Sequence, residues 1–147
     1  MMARYALQSM NSAYSYAEGY RLGLNALNDM AGRGVYVARV SWSAANATQS
    51  WENGYKVVSS ALNHIASDRP NTAYEACNLV LNMVSTTNNY SDGYRAGRAA
   101  LQVIGQTDNQ TVRWIVDSAI RDADAAWGNE AAYNRIVNAL QQLRTSF

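Results

Sequence analysis

The chain has 147 residues, close to the usual size of one domain, and its twelve basic and eleven acidic residues leave a formal net charge of +1. This balance gives no strong nucleic-acid signal and no attraction to an anionic membrane. The lone cysteine, Cys77, excludes an internal disulfide, and the sequence lacks the apolar run of roughly eighteen residues that would predict a transmembrane helix. We expect a soluble protein of unknown compartment, with no signal peptide in Met1–Met10.

One helical pattern occurs four times along the chain. Its landmark is a tyrosine, found at Tyr20, Tyr55, Tyr94 and Tyr133, at intervals of 35, 39 and 39 residues. An Ala-Leu pair ends seven residues after each tyrosine, and three of the tyrosines directly follow a glycine. Because glycine inside a helix costs roughly 1 kcal/mol relative to alanine, the Gly-Tyr pairs predict that a helix backbone packs closely beside a bulky ring.

Four helical segments follow one another, each with apolar residues at alternating spacings of three and four. Gly32 ends the first segment in a position typical of helix C-termini, and Pro70 lies in the break after the second. Thr72 and Glu75 form a capping-box pattern at the start of the third, which ends before Gly105. The predicted helices cover residues 3–31, 35–66, 72–104 and 109–145.

Two all-α architectures are compatible with these segments. The nonpolar rhythm continues without a phase slip through the midpoint of each segment, which favours a single domain over residues 1–147 that forms an antiparallel up-down-up-down four-helix bundle of long helices. The alternative is an αα-solenoid of helix-pair repeats, because a period of 35–39 residues is typical of such arrays. It requires turns near Ala47, Thr87 and Gly128.

The reactive side chains form no motif that predicts an enzyme. An acid precedes each repeated tyrosine, but carboxylate-bridged dimetal bundles also need a Glu-x-x-His pair from two helices, and His64 is the only histidine. We expect these acids to form surface ion pairs with a base one turn on, and Cys77 to be a buried, inert thiol. The sequence therefore predicts no catalytic, cofactor-binding or metal-binding residue. The acids are Glu18, Glu52, Asp92 and Glu130.

The composition of the chain is notable for its aromatic residues and its arginines. Lys56 is the only lysine, and arginine, tyrosine and tryptophan are enriched at protein interfaces, although a genomic base-composition bias would explain the arginine equally well. We expect a non-enzymatic structural or protein-interaction helical bundle, whose partner is another protein or itself in a homo-oligomer. The alternative is a small-ligand-binding or sensory bundle with an aromatic-lined cavity between helices near Trp51, Tyr90 and Trp127. The exposure of six aromatic residues bears on this choice: Tyr5, Tyr14, Trp42, Tyr74, Trp114 and Trp127.

Overall fold

The structure is a computed structural model that describes residues 2–147, and over this range it contains eight α-helices and no strands. The expectation of an all-α chain is confirmed. The prediction of four long helices is wrong, because each predicted segment is divided near its midpoint into two helices. The helices are α1 (Met2–Asn11), α2 (Tyr16–Gly32), α3 (Tyr36–Ala47), α4 (Trp51–Ala66), α5 (Ala73–Thr86), α6 (Tyr90–Ile104), α7 (Gln110–Asp124) and α8 (Asn129–Arg144).

The helices form four pairs, which we call repeat 1 (α1 and α2), repeat 2 (α3 and α4), repeat 3 (α5 and α6) and repeat 4 (α7 and α8). The turn inside each pair contains the same backbone hydrogen bond. A backbone N–H seven residues before the repeated tyrosine donates to the carbonyl three residues earlier, at 3.1–3.4 Å. The four bonds run from Ala13 to Met10, from Thr48 to Ala45, from Thr87 to Val84 and from Ala126 to Ala123. Residues at the same distance from the repeated tyrosine therefore hold equivalent structural positions.

Helix capping explains why the helical segments are interrupted at positions where the spacing of nonpolar residues continues unchanged. Ser15, Ser50 and Asn89 hold equivalent positions directly before α2, α4 and α6, and each side chain accepts a hydrogen bond from the backbone N–H three residues on. Such caps stabilise a new helix start by about 1 kcal/mol. The turn is short enough that apolar residues on both sides still face the same core. The periodicity therefore continues even though the helix does not.

In the outer contacts the second helices of neighbouring repeats pack on each other, and each second helix also contacts the first helix of the neighbouring repeat. α2 packs on α4 between repeats 1 and 2, and α6 packs on α8 between repeats 3 and 4. The repeated tyrosines fill this interface: the ring of Tyr20 lies over Gly54, and the ring of Tyr133 lies over Gly93. A Cβ atom on either glycine would approach the facing ring to 2.6–2.7 Å. The structure therefore shows the close backbone–ring packing that the Gly-Tyr pairs predict.

Repeats 2 and 3 meet differently. The main contacts here are α3 on α6 and α4 on α5, and the second helices, α4 and α6, do not pack on each other as the second helices do in the outer contacts. We call this contact the middle interface. Its two sides resemble each other, as expected where equivalent repeats face one another across an approximate two-fold axis. Outer and middle contacts thus alternate along the chain.

Candidate interaction surface

A buried polar network lies at the centre of the middle interface. Asn53 on α4 and Asp92 on α6 hold equivalent positions, and the Asn53 Nδ2 donates to the Asp92 Oδ2 at 2.8 Å. Each side chain also reaches the turn of the other repeat: the backbone N–H of Gln49 donates to Asp92 Oδ1 at 2.9 Å, and that of Asn88 donates to Asn53 Oδ1 at 3.0 Å. Gln49 and Asn88 are themselves equivalent. The network is therefore reciprocal.

The electrostatics of this network favour an ionised Asp92. The residue is 3% exposed, and burial alone raises the pKa of its carboxyl. Hydrogen bonds from the Asn53 side chain and from the turn at Gln49 and Ser50 outweigh that effect and hold the pKa below its usual value. The carboxylate lies at the start of α4, where the helix dipole also favours negative charge. The ionised form of a buried acid is thus stabilised by hydrogen-bond donors from the opposite repeat.

Positions that are buried in the middle interface of repeats 2 and 3 are more exposed at their equivalents in repeats 1 and 4. On the first helix of repeat 1, Tyr5 is 71% exposed where the equivalent Val40 and Leu79 of repeats 2 and 3 are buried. On the second helix, Leu22 is 39% exposed where Val57 and Ala96 are completely buried. We call Tyr5, Glu18 and Leu22 the repeat-1 face.

The equivalent surface of repeat 4 has a different chemistry. Asp122 and Ala131 are exposed where repeats 2 and 3 have buried residues, and Arg135 is half-buried. The Arg135 Nε donates to Asp122 Oδ2 at 3.4 Å, so these two charges are already paired. We call Asp122, Ala131 and Arg135 the repeat-4 face. The two surfaces are the counterparts of the sides of the middle interface, and within residues 2–147 no other repeat covers them.

Two exposed aromatic residues border these faces. Tyr14 is 90% exposed and Trp127 is 99% exposed, and they hold the positions equivalent to Gln49 and Asn88. In residues 2–147 no acceptor is present for their backbone N–H groups, whereas those of Gln49 and Asn88 are bonded across the middle interface. Of the six aromatic residues singled out in the sequence, four lie in repeats 1 and 4, and all six are exposed, Trp42 least at 37%.

The predicted ion pairs around the repeated acids are only partly present. Glu52 pairs with Lys56 at 3.0 Å, and Asp92 approaches Arg95 at 3.7 Å, but Asp92 is buried rather than on the surface. Glu18 and Glu130 form no ion pair within residues 2–147. Sequence spacing could not show that Asp92 faces a neighbouring repeat while Glu18, at the equivalent position, does not.

A second polar cluster joins repeats 3 and 4. The Arg98 guanidinium makes a two-point contact with the Asp124 carboxylate at 2.7 and 2.8 Å, and the Tyr94 hydroxyl also donates to Asp124. The hydrogen bond from Arg98 holds the pKa of Asp124 below its usual value. Burial and the neighbouring carboxylate raise the pKa of Tyr94. These groups satisfy one another, which is typical of a structural ion pair.

The aromatic residues proposed to line a cavity have different surroundings. Trp51 packs edge-on against Tyr20 with ring centroids 5.6 Å apart, and Trp127 is almost fully exposed. Tyr90 packs edge-on against Tyr133 at 5.2 Å and lines an open depression of about 560 Å³ beside the α5–α6 turn. A polar cleft of about 460 Å³ lies where α4 faces α5 and includes His64. Burial lowers the pKa of His64.

Cys77 is completely buried, as expected, and burial raises the pKa of its thiol to about 12. Over residues 2–147, no group of three or more histidine, cysteine, aspartate or glutamate side chains is placed to hold a metal ion. None of the helices described over that range has the length and apolar character needed to cross a membrane. No protein-family model, curated protein or solved structure matches the chain.

Proposed function

We propose that this protein is a non-enzymatic interaction module that binds protein through the surfaces of repeats 1 and 4. One observation carries the proposal: positions buried in the middle interface are exposed in these two repeats and are bordered by Tyr14 and Trp127. Exposed aromatic side chains supply large contact areas and are enriched at binding hot spots.

Charge and burial support the same function. The net charge of +1 favours association over repulsion between copies or with a neutral partner. The carboxylates of Asp92 and Asp124 already accept hydrogen bonds from donors on neighbouring helices. Such saturated groups suit a scaffold that holds its helix pairs in register.

Photo-cross-linking in the cells that express the protein tests this function. A photoreactive phenylalanine analogue replaces Trp127 in one variant and Tyr74, which lies outside both faces, in a matched control. We expect a protein adduct of defined mass at position 127 and at most a trace at position 74. Mass spectrometry of the linked peptides identifies the partner. Equal labelling at both positions, or no adduct at 127, would contradict the proposal.

Binding of a small apolar ligand is the second candidate, and the depression beside Tyr90 and Tyr133 is the observation that favours it. A thermal-shift screen with apolar and aromatic compounds tests it. If the depression is a binding site, a compound that raises the unfolding midpoint of the wild type loses this effect in Tyr90→Ala. The Tyr16→Ala variant, at an equivalent position away from the depression, is the control.

A further inference from the structure

The middle interface shows how two repeats of this chain recognise one another. Asp92 of repeat 3 accepts the Gln49 N–H at the start of α4 in repeat 2, and the Asn53 side chain donates to the same carboxylate. Apolar residues from α3 and α6 surround this contact and are buried. An acid on one repeat therefore binds the N-terminal end of a helix on the other.

Repeat 1 has an acid at the position of Asp92, but in the described part of the chain no helix N-terminus of another repeat faces it. Glu18 holds the position equivalent to Asp92, and its Oε2 is buried without a hydrogen-bond partner within residues 2–147. Leaving a buried carboxylate oxygen unpaired is costly, so an additional donor would stabilise it. The exposed Leu22 lies one turn further along α2.

Repeat 4 has the backbone part of the site that holds Asp92, but neither the acid nor the side-chain donor, since Ala131 stands at the position of Asn53. The N-terminal end of α8 begins at Gly128, which has no side chain to cap it, whereas Ser15, Ser50 and Asn89 cap α2, α4 and α6. The Trp127 N–H, equivalent to that of Gln49, finds no acceptor within residues 2–147. A helix N-terminus with open N–H groups favours a carboxylate.

We propose that a second copy of this chain is the partner, and that the repeat-4 face of one copy binds the repeat-1 face of the next through a junction equivalent to the middle interface. Glu18 then accepts the Trp127 N–H of the other copy, as Asp92 accepts that of Gln49. Leu22 is covered at the position where Val57 and Ala96 are buried. This inference rests on the interaction function proposed above and specifies its partner.

Charge decides between this junction and the symmetric ones. At the centre of the middle interface an amide faces a carboxylate, Asn53 against Asp92. Two repeat-1 faces would bring two Glu18 carboxylates together, and like charges in a partly buried contact oppose association. Two repeat-4 faces would present two uncapped helix starts and no acid. Only the unlike pairing supplies an acceptor for the Trp127 N–H and gives Glu18 a donor without bringing a second carboxylate beside it.

The junction joins different surfaces of the two copies, so association does not end at a dimer. Such heterologous contacts generate rings when the rotation closes and open chains when it does not. The wild type should therefore grow in molar mass with concentration, beyond twice the 16.2 kDa of one chain.

A complementation experiment tests the junction. Leu22→Arg disrupts only the repeat-1 face, and Ala131→Arg disrupts only the repeat-4 face. Each variant alone should be a monomer by light scattering at every concentration, and an equimolar mixture should form a species of twice the monomer mass. Asn28→Arg, on an exposed position of α2 outside the face, is the matched control and should assemble like the wild type. Circular dichroism and thermal unfolding of each variant verify folding, and Glu18→Arg replaces Leu22→Arg if that variant unfolds.

Other outcomes overturn the proposal. Dimers of Ala131→Arg alone would show that two repeat-1 faces pair, and dimers of Leu22→Arg alone would show the same for repeat-4 faces. A wild type that stays monomeric at every concentration, or a mixture without the doubled mass, excludes the junction. The general interaction function survives that failure if cross-linking captures a different protein at position 127 but not at position 74, and it fails if no adduct forms at 127 or if both positions label equally.

Discussion

Asn53 and Asp92 illustrate how a single residue position connects the repeats. Asn53 is completely buried, donates to Asp92 and accepts the Asn88 N–H from the facing repeat. Asn53→Ala would leave that N–H without its acceptor and remove a donor from the buried carboxylate. We expect the free energy of unfolding to fall by about 2–3 kcal/mol, measured by chemical denaturation.

The matched control for this substitution is Asn63→Ala on the same helix. Asn63 is exposed, and its side chain donates only to the Ser59 carbonyl one turn earlier. We expect a change within about 0.5 kcal/mol. A similar loss for both variants would show that the buried network contributes nothing beyond an ordinary helix position.

The lowered pKa of Asp92 predicts an acid dependence of stability. Because the carboxyl binds a proton less readily in the folded chain than at its ordinary pKa of 3.8, its contribution is fully present above that value. It is lost as the pH falls through the lower pKa of the folded state. Denaturation of the wild type and of Asp92→Asn from neutral to acidic pH should show a stability difference that shrinks over this interval. A difference independent of pH would contradict this account.

At the scale of the elements, the outer contacts depend on rings that lie against helix backbones. A methyl group at Gly54 would meet the ring carbons of Tyr20 at 2.7 Å. We therefore expect Gly54→Ala to lower the free energy of unfolding by about 1–3 kcal/mol, although alanine is the better helix former. Chemical denaturation measures the change.

Gly32→Ala separates this steric effect from helix propensity. Gly32 ends α2, and a Cβ atom there would have no neighbour within 4 Å in the described residues. We expect a gain of about 0.5–1 kcal/mol from the improved helix propensity. A gain of the same size at Gly54 would mean that the Tyr20 ring does not constrain the interface.

The helical segments and their repeat could be predicted from the sequence, but the division of each segment into two helices could not. The apolar spacing and the Gly-Tyr pairs indicated helical segments, an internal repeat and close backbone packing, all of which the structure contains. The breaks before Trp51 and Tyr90 were not predicted, because the spacing of apolar residues continues unchanged across turns of three residues. Ser50 and Asn89 were the available signals, since both residue types are strong N-caps.

At the scale of the whole molecule, the candidate site could not be predicted from one repeat alone. Glu18, Asn53 and Asp92 occupy one position, yet the acid is unpartnered in repeat 1 and saturated in repeat 3. Sequence spacing showed the equivalence of the repeated tyrosines, but not which equivalent positions face a neighbour. That difference arises from alternating outer and middle contacts, which depend on long-range packing.

Disulfide trapping tests the central claim, which is that copies join through a repeat of the middle interface. Tyr14 and Ala131 are equivalent to Asn88 and Asn53, whose backbone N and side-chain Oδ1 lie 3.0 Å apart. The variants Tyr14→Cys and Ala131→Cys are mixed and oxidised, and the buried Cys77 does not compete. The account predicts a mixed disulfide between the two variants, well in excess of like-with-like products by mass spectrometry. Only like-with-like disulfides, or none, would contradict it.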